Sequence, residues 1–447
     1  MTLRVPHTFA LLFALIVLAA LATHVVPAGQ YGRSDVGGRQ LVDPESFEPV
    51  EARPAGVVEI LLAYPRGLLA TAPIVFYILL IGGAFQVLQA TGALDAAIGA
   101  VVTGAGGRGE VVLPALMFLF ALGGGTIGMA EETLPFLPGL ALLARRLGYD
   151  EMIGGAVALV GAGAGFAGAF LNPFTVGVGQ AIAGLPLFSG IGYRLIVWSV
   201  LTGVTIGYVS WYARRHRSAV PPATETGDAT RATPRQIVVL LLLVAAIALL
   251  VVGCLRWEWG LLELSALFLG VAIVGGLCGG LGVDRLAEEF TKGCAAFASA
   301  GLVVGLARGV LVVLDDARVT DTLLHEMASA VAGLPAWASI AGIYLVQILL
   351  NFFVPSGSGQ AALSLPILAP LADLTGVTRQ TSVLAYQFGD GFTNVFTPTM
   401  GYFMAGLALI GVPWTRWVRF LWPLQLIWIV LGFVFLLIAH AIRWGPF

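Results

Sequence analysis

Residues 123–138 read Gly123-Gly-Gly-Thr-Ile-Gly-Met-Ala-Glu-Glu-Thr-Leu-Pro-Phe-Leu-Pro138, inside an otherwise apolar region. Clustered glycine and proline cannot continue one helix, because glycine costs backbone entropy and proline removes a donor. Hydrocarbon offers no partner for the freed backbone groups. A break of this kind at membrane depth is tolerated only inside protein or against a water-filled cavity. Two adjacent carboxylates strengthen the point, since even one acid at the bilayer centre costs at least about 2.5 kcal/mol. The stretch therefore predicts a re-entrant hairpin over residues 110–146, with Glu131 and Glu132 near its tip.

The surrounding chain fits a membrane setting. Of 447 residues, 58% are apolar and 11% charged, against about 25% charged in soluble proteins. That excludes a disordered chain, which needs high charge and low hydrophobicity. A net charge of -2 gives no basic footprint for nucleic acid. The fold class is an all-α polytopic membrane protein. Apolar runs suited to spans, which need about 20 residues, cover 7–27, 72–90, 190–212, 236–256, 261–281, 298–316 and 417–440. The first run is expected to be a retained helix rather than a cleaved leader. Cys254, Cys278 and Cys294 have no disulfide or metal spacing and read as small apolar fillers.

A second broken region, 335–412, carries Pro355-Ser-Gly-Ser-Gly, Pro366, Pro370, Asp390 and Thr397-Pro398. It repeats the first in order. Glu132-Thr-Leu-Pro-Phe-Leu-Pro138 pairs with Leu363-Ser-Leu-Pro-Ile-Leu-Ala369. Gly165-Phe166 through Asn172-Pro173 pairs with Gly391-Phe392 through Thr397-Pro398. Gly184–Pro186 pairs with Gly411–Pro413, and Val87-Leu88 through Asp95 with Val313-Leu314 through Asp321. The offset is roughly half the chain, as expected of an internal repeat.

Half two has one more span, 261–281, where half one has the polar loop 28–55, so the second copy is flipped. Inverted repeats are a transporter signature. The expected organisation is a first repeat, 1–212 (hairpin 110–146, broken helix 151–184), and a second, 236–447 (hairpin 335–372, broken helix 378–412). A linker, 213–235, joins them. It holds five arginines, so it and the N-terminus are expected to be cytoplasmic. The total is nine full spans plus two hairpins.

Substrate sites in such proteins form near the midplane, where half-helix N-termini face anions and unwound carbonyls face cations. Four clusters qualify. Thr126, Glu131, Glu132 and Thr133 stand at hairpin one; they bind Na+, a proton or a substrate ammonium, or else one Glu caps the second arm. Asn172, Pro173 and Thr175 mark either a binding break or a proline kink. Ser356, Gly357, Ser358, Gly359 and Gln360 form either a ligand-approaching tip or an ordinary turn. Asp390, Thr393, Asn394, Thr397 and Thr399 form the second break, where Asp390 binds or pairs structurally. Arg308, in the middle of 298–316, meets either a substrate carboxylate bidentately or a buried acid. A Na+ position is expected near Glu131, Asn172, Asp390 and Asn394.

The sequences Gly128-Met-Ala-Glu-Glu-Thr-Leu-Pro-Phe136, Asn172-Pro-Phe-Thr-Val-Gly177, Pro355-Ser-Gly-Ser-Gly-Gln-Ala361, Gln387-Phe-Gly-Asp-Gly-Phe-Thr-Asn394 and Val26-Pro-Ala-Gly-Gln-Tyr31 resemble the YfcC-type carriers. The resemblance covers nearly the whole chain. That family is grouped with the anaerobic C4-dicarboxylate uptake carriers in the ion transporter superfamily. The resemblance implies a bacterial cytoplasmic (inner) membrane carrier, a homodimer through a scaffold domain, and an elevator motion coupled to Na+ or H+, with no other cofactor. Dicarboxylate carriers of the superfamily use Ser-Asn-Thr motifs at both hairpin tips. Here Glu131-Glu132 stands at tip one and would repel a dianion. The expected substrate is a small carboxylate-bearing metabolite, leaning to amino acids, basic ones included. A C4-dicarboxylate or short-chain carboxylate is the alternative, and a channel a more distant one. No HExxH or paired-Asp protease motif supports an intramembrane enzyme.

Overall fold

The computed structural model describes residues 8–36, 39–104, 109–217, 232–257 and 259–445. Arg4, Arg108 and residues 218–231 of the basic linker lie outside them. The described chain is nearly all helical. Seven helices are long and apolar enough to cross a membrane: Ala72–Ala90, Gly109–Ile127, Ile191–Arg215, Leu261–Cys278, Val283–Asp316, Ala336–Phe353 and Trp414–Ala441. Phe9–Ala22, Glu151–Ala167 and Pro234–Leu250 are shorter apolar helices.

Two features depart from the expectation. The span at 298–316 is the C-terminal part of one 34-residue helix, Val283–Asp316. At 1.5 Å per residue it is about 51 Å long, well beyond a hydrocarbon core of about 30 Å. Its first turns carry Asp284, Arg285, Glu288, Glu289 and exposed Lys292, outside the expected span. Lys292 pairs with Glu289 at 2.8 Å.

The polar loop contains short antiparallel ribbons, Gly29–Gln30 with Glu48–Pro49 and Arg33–Val36 with Arg39–Val42. It clamps the helix Thr320–Val331. The Tyr31 amide donates to Asp321 Oδ2 at 2.9 Å, and Arg33 meets Asp321 Oδ1 at 2.7 Å. Phe47 stacks on His325 with ring centres 3.9 Å apart, and the Tyr31 hydroxyl lies 3.0 Å from His325 Nδ1. Burial, and next the charge of Asp321, push the Tyr31 phenol up to about 12.

The long helix crosses the consecutive helices Val57–Ala70 and Ala72–Ala90 through glycines. Gly67 faces Gly305 and Gly309, and Gly82 faces Gly293. The numbers rise on one side as they fall on the other, so the two 34-residue stretches 57–90 and 283–316 run antiparallel. Small residues let the backbones approach closely, which is how membrane helices gain packing energy without a hydrophobic drive.

Hairpin one consists of Gly109–Ile127, a tight turn Glu131–Phe136 and Leu137–Arg146. Hairpin two consists of Ala336–Phe353 and Gly357–Leu374. Each is followed by a broken helix. The first is Glu151–Ala167, a π-turn Pro173–Gly177 and Val178–Ile182; the second is Arg379–Thr393, a gap, and Gly401–Leu409. The two regions use the same local devices. The hairpins end on Gly148 and Gly376, both with positive φ, and the broken helices begin on side-chain caps, Asp150 and Thr378. The broken helices end on Gly184 and Gly411, again with positive φ. Leu185 then donates back to the Gln180 carbonyl, and Val412 to that of Leu407. These are Schellman-type ends.

Candidate functional site

The breaks are held by groups from neighbouring elements, because each interruption leaves carbonyls and amides unpaired. In the first, Asn172 Oδ1 accepts from the amides of Phe174 at 2.9 Å and Thr175 at 3.3 Å, capping the outer segment. The amides of Phe170 and Leu171 donate to the Gly125 carbonyl on hairpin one. In the second, a residue that sequence reading passed over does the work. Asn351, at the end of the first arm of hairpin two, donates to the Asp390 carbonyl at 3.1 Å, Thr393 Oγ1 at 2.6 Å and Asn394 Oδ1 at 2.8 Å. Its signal in sequence was available: a lone Asn in an apolar arm, four residues before Pro355.

The hairpin tips press on these breaks. A β-carbon at Gly128 would stand 2.6 Å from Asn172 Oδ1. One at Gly357 would stand 2.8 Å from Thr175 Cγ2 and 3.0 Å from Asp390 Oδ2. The Tyr386 hydroxyl, from the helix that carries Asp390, donates to the Gly357 carbonyl at 2.7 Å. Hairpin two, both broken helices and Asp390 thus meet at one point. The broken helices also cross directly. Gln387 donates to the Phe166 carbonyl at 2.6 Å, and a β-carbon on Gly391 would lie 2.5 Å from Ala167.

Several buried polar atoms at this junction have no hydrogen-bond partner. They are Asn172 Nδ2, Thr175 Oγ1, both carboxylate oxygens of Asp390, and Thr399 Oγ1. Asn394 approaches Asp390 without full bonding geometry. Buried polar groups are normally paired, so such a set calls for an explanation. Oxygen-rich, buried and carboxylate-bearing, it suits a hard monovalent cation or a substrate's polar groups.

The other candidates divide. Glu132 folds back on the hairpin-one turn and accepts from the Ala130 amide at 2.9 Å, which makes it a cap. Glu131 makes no hydrogen bond to another side chain among the described residues. It keeps some accessible surface although protein surrounds it, and its charge reaches that of Asp390. Thr126, Thr133, Thr393 and Thr397 bond back to carbonyls of their own segments. Gln360 is buried against Gln347 at 2.7 Å and stiffens hairpin two. Ser356 caps the Gly359 amide at 3.4 Å, while Ser358 is exposed. Pro173 is exposed and opens the π-turn. Arg308 lies on the long helix, and its Nε is buried without a hydrogen-bond partner. Val304, one turn before it, packs on Gly401, and the acid its charge reaches is Asp315.

Sequence reading also passed over Arg194. It is fully buried on Ile191–Arg215, and its Nη1 donates to the Ala169 carbonyl in the first break at 3.4 Å.

Span-length apolar helices with paired, glycine-packed breaks around a buried polar junction define a polytopic membrane transporter. The chain belongs to the family described as "C4-dicarboxylate anaerobic carrier" (DcuC), which matches residues 5–441. The "Putative basic amino acid antiporter YfcC" of Escherichia coli is 34% identical over 93% of this chain and 92% of its own. An uncharacterized protein of Haemophilus influenzae is 27% identical over 99% of this chain and 98% of its own. Among solved structures, the YdaH transporter of Alcanivorax borkumensis aligns with a TM-score of 0.44 at 18% identity, over 99% of this chain and 100% of its own. MtrF of Neisseria gonorrhoeae aligns at 0.44 and 16%, over 97% and 95%.

Proposed function

We propose that the chain is a Na+- or H+-coupled secondary transporter of small carboxylate-bearing metabolites, with amino acids, basic ones included, as the favoured substrates. The observation that carries this is the meeting of Asp390, Thr175 and Gly357 between a hairpin tip and two helix breaks. Half-helix ends provide partial charges of both signs without mobile counterions, and a membrane-buried acid is functional by default. Glu131 and Asp390 favour a substrate ammonium or a coupling cation, and the amides at the hairpin-two tip favour its carboxylate. The name borne by the Escherichia coli relative points the same way. The family's own description supports a second reading, a C4-dicarboxylate, with the acids neutralised by bound cations.

The antiparallel crossing at Gly67 and Gly82, the matched caps and the sequence repeat support two inverted repeats, 1–212 and 236–447. In this reading the linker 213–235 and the N-terminus are cytoplasmic, and the membrane is the bacterial inner membrane. The hairpins and broken helices move as one transport body against a scaffold built on 57–90 and 283–316, through which two copies pair.

A thermal-stability screen of amino acids and small carboxylates, with and without Na+ at two pH values, tests the assignment. A ligand of the folded state raises stability by mass action. The expected hits are amino acids whose shift depends on Na+ or pH, followed by saturable counterflow in proteoliposomes. Shifts from dicarboxylates alone would replace the substrate class, and unitary currents would overturn the carrier.

A further inference from the structure

The two breaks are opposite in charge. At the first, the carbonyl of Ala169, just past the half-helix Glu151–Ala167, accepts from Arg194. Arg194 is fully buried, and its Nε and Nη2 find no acceptor. No carboxylate pairs with it among the described residues, and its guanidinium carbon lies 5.4 Å from the Trp444 ring centre. At the second break the half-helix Arg379–Thr393 ends beside the Asp390 carboxylate, whose oxygens have no hydrogen-bond partner, and the Asp390 carbonyl accepts from the Asn394 amide and from the neutral side-chain amide of Asn351. The sequence match of Gly165-Phe166 with Gly391-Phe392 places Ala164, which has no charge, where the second half-helix has Asp390. Tyr386, whose hydroxyl donates to the Gly357 carbonyl, lies within electrostatic reach of both charges.

The C-terminal end of a helix carries roughly half a negative charge. In transporters with broken helices such ends coordinate the coupling Na+ or H+. A buried guanidinium satisfies the same end permanently. Its own burial is costly unless negative potential compensates it, and the half-helix end whose Ala169 carbonyl accepts from it supplies that potential.

We infer that Arg194 is a fixed cation filling the first break, so that each protomer uses a single mobile coupling cation, held at Asp390 in the second. This inference rests on the transport reading above. Its ligand class is a monovalent cation, and its content is that one break takes it and the other does not.

Binding of radioactive Na+ to the purified full-length protein counts the ions. One per protomer, with a Hill coefficient near unity, is expected; two per protomer would overturn the inference. If H+ is the coupling ion, the same count is read as the difference in protons released between wild type and Asp390→Asn as the pH is raised, which leaves out those of Glu131 and Glu132. Arg194→Gln exposes the Ala169 carbonyl to solution cations. Its stoichiometry is expected to double, and stability lost at low Na+ should return at high Na+, whereas Arg194→Lys should keep one ion. A loss in Arg194→Gln that no cation rescues means a merely structural arginine and overturns the inference. Should that variant not fold at any Na+ concentration, the wild-type count decides. Absence of any Na+ or H+ binding is a separate result, which removes cation coupling itself.

Discussion

The side-chain amide of Asn351 reaches Asn394 Oδ1 at 2.8 Å, tying the end of one hairpin arm to the interruption of the helix beside it. The same nitrogen also serves the Asp390 carbonyl and the Thr393 hydroxyl. Asn351→Leu keeps the volume and strands Asn394 Oδ1 in a buried position, while the Asp390 carbonyl keeps the Asn394 amide. Leaving buried polar groups unsatisfied costs about 1–3 kcal/mol. A lower melting temperature in detergent and loss of uptake are expected. A variant as stable and active as wild type would show that the second break holds itself.

Gly357 has no room for a side chain on its inner face. Gly357→Ala puts a methyl against Thr175 and Asp390, forcing the hairpin-two tip off the junction. Ligand-induced stabilisation should fall at least tenfold in apparent affinity, with the unliganded melting temperature nearly unchanged, because the tip contributes little to the core. Calorimetric titration with the ligand found in the screen, compared with melting curves, separates the two effects.

Glu131 and Glu132 are adjacent but should behave differently. Glu132→Gln weakens the bond to the Ala130 amide and should cost about 1 kcal/mol of stability, with cation dependence preserved. Glu131→Gln should leave the fold intact and weaken ion or amine-substrate binding. Unchanged ion dependence of uptake in Glu131→Gln would remove that residue from the site.

At the helix crossing, Gly82→Val would drive a β-branched side chain into Phe297 and the Gly293 carbonyl, 2.8 Å from its β-carbon. Overpacking of this kind typically costs about 1–3 kcal/mol. A β-carbon on Gly203 meets nothing within 4 Å, so Gly203→Ala is the control and should melt like wild type. Equal melting of the two variants would contradict the close crossing.

The clamp of the polar loop on Thr320–Val331 has a pH signature. The folded phenol of Tyr31 sits at about 12, above its ordinary 10. Its contribution to docking is therefore complete below about pH 10 and lost as pH rises through 12. Asp321→Asn removes one cause of that shift together with the charge partner of Arg33. Trypsin should then cut after Arg33 faster at neutral pH, and more so as the pH is raised. Identical cleavage of wild type and Asp321→Asn would show that the loop is not held by this contact.

The breaks were legible from residue types alone. Gly123-Gly-Gly, Asn172-Pro173, Pro355-Ser-Gly-Ser-Gly and Thr397-Pro398 cannot extend a lipid-facing helix, so the hairpins and broken helices fall where periodicity stops, with Asp390 buried in the protein and Glu131 half-buried. Apolar content and span length determined the membrane class, because hydrocarbon is an undemanding solvent with one simple rule. What no local pattern could decide is which polar residue meets which. Arg308 and Arg194 are both arginines inside apolar runs, yet one reaches Asp315 and the other the first break. Asn351 and Asn394 are 43 residues apart and share a hydrogen bond. Glu131 and Glu132 are neighbours, and only one is used up as a cap. These outcomes depend on helix crossings such as Gly389 against Gln347 and Gly168 against Trp198. Close approach of two backbones is a property of both surfaces at once, and only the tertiary structure brings those surfaces together.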